Sequence, residues 1–189
     1  MHINNHAAGY GWISILLHWL MAIAIIGLAI VGLWMVDLGY YSPWYQVAPF
    51  WHKSIGLLLL PLLLFRLYWR WRQPTPTSPS GHTIWERRLA STTHALLYSL
   101  LLLILLSGYL ISTAEGEGIS LFGWFEVPAL IHGLDQQADL AGQLHYWAAI
   151  CLLTLVALHA LGALKHHILD RDTTLVRMLK PTFSTHEDQ

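Results

Sequence analysis

Residues Leu144–His167, LHYWAAICLLTLVALHALGALKHH, decide the fold. No Asp, Glu, Lys or Arg interrupts the run between Asp139 and Lys165. An apolar stretch from Leu140 to about His166 exceeds the ~20 residues that a helix needs to cross a ~30 Å hydrocarbon core. Two histidines, His145 and His159, stand inside it. A spacing of fourteen is nearly four whole helical turns, so both project from one face, ~21 Å apart along the axis. Ionisable side chains at membrane depth are costly and mark function by default. Two such sites on one helix, one near each leaflet, are what a pair of stacked cofactors requires.

Three further stretches of the same kind lie upstream: Trp12–Val36, Phe50–Trp71 and Leu89–Ser112. Helices satisfy their own backbone hydrogen bonds, which lipid demands. The composition agrees. Of 189 residues, 55% are hydrophobic and 11% charged, too few charges to coat a soluble globule. One cysteine, Cys151, excludes an internal disulfide scaffold, and ten Lys+Arg against eleven Asp+Glu leave no basic patch for nucleic acid. The expected fold is therefore an all-α integral membrane protein, a four-transmembrane-helix bundle. It forms a single domain over residues 1–189, with helices at about 12–36, 50–71, 89–112 and 140–166. The first span has no cationic n-region and no small-residue cleavage site, so it reads as a retained helix and not a signal peptide.

Orientation follows from the cations. Nine of the ten Lys and Arg fall in the second loop, its flanks and the tail, all on one side of the expected bundle. The positive-inside rule makes that side cytoplasmic and places both termini there. Lys53 alone lies toward the outside, while Arg66, near the inner end of its span, is expected to snorkel to the interface. Tryptophans such as Trp12, Trp34, Trp51, Trp71 and Trp85 sit near span boundaries and form the aromatic belt. Pro61 is expected to kink or loosen the second helix. The third loop, Thr113–Asp139, carries five carboxylates and an apolar segment, ISLFGWFEVPAL (Ile119–Leu130), too short to span and expected in the periplasmic interface as a lid.

Alternating helix directions sort the buried histidines by depth. His18 falls in the inner half with His159, and His52 near the outer end with His145. Bis-imidazole ligation from two helices is how a bundle holds haem b. The pairs predict an inner haem iron on His18 and His159 and an outer one on His52 and His145. Gly56, Gly142 and Gly162, each within one turn of a ligand, would let a flat macrocycle approach the backbone. Two alternatives stand beside this reading. The histidines could bond across helices as core polar groups, or bind zinc, against which no third or fourth ligand accompanies either pair. His94, level with the inner pair, is open between alternate ligand, donor to a propionate or quinone carbonyl, and packed polar group. His166, seven residues past His159, could hold propionates or a quinone headgroup with Lys165 and His167, or simply anchor the interface. His2, His6 and His186 are terminal and read as solvated; His82 and His132 take no role.

These residues resemble the prokaryotic cytochrome b561 family of di-haem membrane proteins over the whole helical region. The segments that carry the resemblance are LHWLMAIAI around His18, PFWHKSIGLLL around His52, THALLYSLLLLILLSGYLIST around His94, and the fourth-helix stretch. LWMVDLGYYSPWY, GYLISTAEG and ISLFGWFEVPAL point to its YceJ-type branch. The resemblance implies two b-type haems at His18, His52, His145 and His159 in a bacterial inner-membrane protein. It also implies electron exchange with ubiquinone or menaquinone. Relatives include superoxide:quinone oxidoreductases and membrane subunits of other redox enzymes, so an oxidoreductase activity is one expectation. The branch further implies a periplasmic lipocalin-like partner that binds isoprenoid quinones. This chain departs from the superoxide pattern, because its first outer loop has no arginine and its third is acidic; a negative rim repels an anion.

Overall fold

The computed structural model describes residues 3–79 and 81–181, so His2 and His186 lie outside the described residues. Four helices dominate: α1 (Trp12–Met35), α2 (Val47–Arg72), α3 (Ile84–Thr113) and α4 (Gln137–Ile168). Each is long and apolar enough to cross a membrane. Their large side chains face outward, as with Leu16, Ile23 and Ile30 of α1 and Leu158 and Leu161 of α4. Such exposure suits hydrocarbon as solvent.

Three helices extend several residues past the sequence bounds, because their polar end turns are helical beyond the apolar run. α3 gains its first turns from a capping box: the Glu86 N–H donates to Thr83 Oγ1 at 3.2 Å, and the Thr83 N–H to Glu86 Oε2 at 2.9 Å. α2 starts at Val47 and tolerates Pro49 in its first turn, where the missing N–H has no intrahelical acceptor. Pro61 leaves α2 helical on both sides; it removes one backbone donor without ending the helix. Gly11 caps α1 where a Cβ would strike the carbonyls of Ile3 and Asn4.

α1 packs most extensively on α2 and α3 on α4, with α2 against α3 joining the pairs. The core is a layer of Met21, Leu59, Leu63, Leu101 and Leu152. Leu152 stands seven residues from both His145 and His159, so this apolar layer separates the two histidine levels by ~10 Å on either side.

The apolar part of the third loop is not helical. It folds as a hairpin, β1 (Ile119–Leu121) and β2 (Phe125–Val127), with Ile119 opposite Val127 and Leu121 opposite Phe125. Phe122 and Gly123 both have positive φ, 52° and 74°, and the Trp124 N–H donates to the Leu121 carbonyl at 2.9 Å. Two central residues of that hand make a type I′ turn, which matches the twist of paired strands. Ser54 of α2, fully buried, clamps the turn: Oγ donates to the Ser120 carbonyl at 3.3 Å and accepts from the Phe122 N–H at 3.1 Å. Tyr109 Oη holds the following segment through Pro128 and Leu130. Ile119 and Leu121 turn inward, whereas Trp124 and Leu130 remain exposed. The hairpin thus covers the bundle end that contains His52.

Candidate functional site

The bundle holds two histidine levels. At the hairpin end, His52 of α2 faces His145 of α4 with ring centroids 6.3 Å apart and planes 66° apart. At the other end, His18 of α1 faces His159 of α4 at 6.4 Å and 69°. Two imidazoles that share one metal at ~2.0 Å per bond have centroids roughly 6 Å apart. Both pairs therefore stand edge to face at the separation that an iron between them requires, with no hydrogen bond joining the two rings.

The hairpin-end histidines are oriented from behind. His145 Nδ1 lies 3.0 Å from the Ile104 carbonyl and 3.2 Å from Ser107 Oγ. Ser107 is itself buried and donates to the same carbonyl at 3.0 Å. A carbonyl accepts only, so the proton belongs on Nδ1 and the Nε2 lone pair is free for a metal. His52 Nδ1 is buried, with the Leu28 backbone beside it but outside hydrogen-bonding geometry. Glycines make room for both rings. A Cβ on Gly32 would stand 3.1 Å from His52 Cε1, and one on Gly108 3.1 Å from His145 Cε1. Gly56, Gly142 and Gly162, nearer the histidines in sequence, do not back the rings: a Cβ at each of these meets nothing within 4 Å.

The other level is more polar. His94 of α3 joins it, with its ring 5.3 Å from that of His159. Arg66 also turns inward and does not snorkel: Nη2 lies 3.1 Å from His18 Nδ1, and Nε donates to Tyr98 Oη at 3.0 Å. The guanidiniums of Arg66 and Arg70 both lie over the Tyr98 ring, 5.9 and 5.7 Å from its centroid. No motif in α2 announces this, because the partner Tyr98 is supplied by α3. His166 is drawn into a separate cluster, with its ring on that of His82 at 4.5 Å.

At the hairpin end a groove of about 480 Å³ opens between α2 and the hairpin, lined by Met35, Tyr45, Pro49, Phe50 and Lys53 together with the hairpin's Ile119. Its walls mix apolar residues with polar ones, Gln46, Lys53 and Ser120 among them.

The family model described as prokaryotic cytochrome b561 matches residues 9–181. The chain is 48% identical over 179 residues to Cytochrome b561 homolog 2 of Escherichia coli K12, with 95% of each chain covered. It is 29% identical over 178 residues to the Probable superoxide oxidase CybB of Yersinia pestis, covering 90% of this chain and 95% of that one. A second Escherichia coli relative, Cytochrome b561 homolog 1, is 29% identical over 128 residues, covering 68% and 72%. With four spans, inward histidines and this match, the chain belongs to the prokaryotic cytochrome b561 family, multi-pass proteins of the bacterial inner membrane that carry b-type haem and transfer electrons.

Proposed function

We propose that the protein carries two b-type haems and relays electrons across the membrane between them, exchanging electrons with the quinone pool at the hairpin end. The observation that carries this reading is the ring separation, 6.3 Å for His52/His145 and 6.4 Å for His18/His159. Haem supplies the one-electron chemistry; the chain supplies ligands, spacing and field. His145 is held in one tautomer by Ile104 and Ser107, while Gly32 and Gly108 fix where the rings stand. The core layer around Leu152 fills the bundle between the two levels and excludes water from it.

The hairpin end faces the periplasm, on the argument that nine of ten cations belong to the opposite side. In the groove between α2 and the hairpin, an isoprenoid quinol headgroup would lie against Phe50 and Pro49. Lys53 donates to one quinone oxygen, and the two protons released on quinol oxidation leave through the open mouth of the groove. The two electrons enter the relay one at a time. The relative named a probable superoxide oxidase makes superoxide the second candidate donor, and Lys53 is the cation such an anion would meet. Five carboxylates in the surrounding loop favour quinol.

The test is a haem-to-chain ratio with a reduced-minus-oxidised spectrum, followed by anaerobic addition of a short-chain quinol. The expected result is about two haems per chain, both reduced by quinol. One haem per chain, or two that quinol leaves oxidised, would overturn the proposal.

A further inference from the structure

On the cytoplasmic side of the proposed orientation, three segments meet away from both histidine levels. His82 precedes α3, His166 belongs to the last turn of α4, and Asp170 and Asp172 follow that helix. Arg171, between the two aspartates, has a left-handed backbone with φ 55°, and the Asp172 N–H returns to the His166 carbonyl at 3.0 Å. This turn brings both carboxylates back over the helix end. His82 Nε2 stands 2.7 Å from Asp172 Oδ2, and His166 Nδ1 stands 3.2 Å from the same oxygen and 2.7 Å from Asp170 Oδ2.

Two features separate this cluster from an ordinary surface ion pair. Its members are largely enclosed, with side-chain exposures of 15% for His82, 17% for His166 and 11% for Asp172. Moreover, His166 Nδ1 is buried and makes no hydrogen bond of acceptable angle, although two carboxylate oxygens lie within 3.2 Å. A ring nitrogen that crowds carboxylate oxygens off the hydrogen-bonding line is in the arrangement of ligands converging on a shared point.

We propose that His82 Nε2, His166 Nδ1 and Asp172 Oδ2 form a binding site for a divalent transition metal of the zinc type, with Asp170 beside His166. The three atoms lie within 4.8 Å of one another. Ligands ~2.0 Å from a tetrahedral ion are ~3.3 Å apart, so the 3.2 Å pair already fits and the 2.7 Å pairs open by about half an ångström. Two imidazoles select zinc-like ions over magnesium or calcium, which take oxygen ligands. Two neutral histidines and the Asp172 carboxylate, with Asp170 beside them, offset the double charge of the ion. Lys165 reaches both Asp170 and Glu86, at 2.7 and 2.8 Å, and so orients Asp170 from outside.

The ion would staple the second loop and the post-helical segment to the bundle. That segment already crosses the other helices: Trp19 Nε1 donates to the Met178 carbonyl at 2.6 Å, and Arg177 to the Thr77 carbonyl at 2.7 Å. The proposal does not depend on the haem assignment, since none of its ligands belongs to either histidine level.

Titrating zinc chloride into the chelator-treated, haem-loaded full chain in detergent tests the site, with calorimetry and X-ray absorption at the zinc edge. The expected result is one equivalent with a nitrogen- and oxygen-only shell. Its Kd should be weakened at least 10-fold in His82→Ala, His166→Ala and the near-isosteric Asp172→Asn, all with unchanged haem spectra. Zinc should also raise the Tm of the parent chain but not of the variants. Equal affinity in the parent and Asp172→Asn, or no binding below ~100 µM, would overturn the proposal and leave a hydrogen-bonded ion network in its place.

Discussion

The two histidine levels have nearly the same ring spacing but are built from different surroundings. At the hairpin end, two histidines are positioned by neutral groups: a carbonyl, a serine hydroxyl and the bare backbone of two glycines. At the opposite end, a third histidine, a tyrosine and an inward-turned arginine crowd the pair. One level is set by shape, the other by charge. For a relay this difference matters, because a cation beside one centre favours its reduced state and leaves the other untouched. On the proposed ligation the haem at that end, the terminal end, is therefore the higher in potential, and electrons would run downhill to it from the hairpin end.

Removing ligands gives the largest effect and tests whether the levels are independent. His52→Ala or His145→Ala should take the haem content from about two to about one per chain and spare the terminal-end spectrum. His18→Ala or His159→Ala should do the reverse. A pyridine haemochrome assay with low-temperature spectra reads both. If His94→Ala strips the terminal-end haem while His18→Ala does not, the pair at that level is His94/His159.

The histidine pairs were legible in the sequence because helix geometry converts a spacing of fourteen into a shared face, and span direction then sorts the partners by depth. The surroundings were not. Ser54 reaches the turn at Phe122 only because β1 and β2 pair, and nothing in ISLFGWFEV alternates strongly enough to announce strands of three residues. Arg66 sits where a span ends, so snorkelling is its default; only Tyr98 and His18, on two other helices, turn it inward. The useful glycines were also displaced. Residues near a ligand on its own helix were visible, whereas Gly32 and Gly108 back the rings from neighbouring helices.

That displacement gives the next prediction. Gly→Ala inside a helix ordinarily stabilises by ~1 kcal/mol. Gly108→Ala places a methyl 3.1 Å from His145 Cε1, with the ring tied behind by Ile104. Overpacking there should cost about 1–3 kcal/mol and release the hairpin-end haem preferentially. Gly142→Ala is the sharper comparison, because the chain itself leaves a methyl there free of contact. Loss of haem in Gly142→Ala, with a fold otherwise intact by circular dichroism, means that the macrocycle fills that space. Full haem retention in both variants would remove shape as the organising feature of this level.

Charge is tested at the opposite level by Arg66→Gln. Loss of one positive charge within ~8 Å of the iron, at an effective dielectric of about 20, lowers the terminal-end potential by roughly 50–100 mV. The hairpin-end potential should move by less than a quarter of that. Potentiometric titration followed at each haem's band resolves the two. Equal shifts would mean that Arg66 acts through the bundle as a whole, and the contrast between the levels would fail.

The smallest effect is expected at the rim. Glu115, Glu117 and Glu126 surround the hairpin on a loop with no Lys or Arg, so the approach to the groove is negative except at Lys53. A quinol is neutral and feels little of this field, so the triple Glu→Gln variant should reduce its haem with quinol at the parental rate. A periplasmic carrier that delivers quinone is a macromolecule, and for it the same carboxylates are a docking charge. Its affinity should change two- to five-fold in low salt and converge with the parent's above ~0.5 M, where screening acts within ~5 Å. Superoxide reports the opposite sign. An anion repelled by five loop carboxylates should reduce the hairpin-end haem slowly, and faster after neutralisation or added salt. Stopped-flow reduction at two ionic strengths measures all three donors. Diffusion-limited reduction by superoxide that ignores both salt and the glutamates would show that Lys53 alone governs entry, and that the acidic loop is only a solvated cover over the hairpin-end haem.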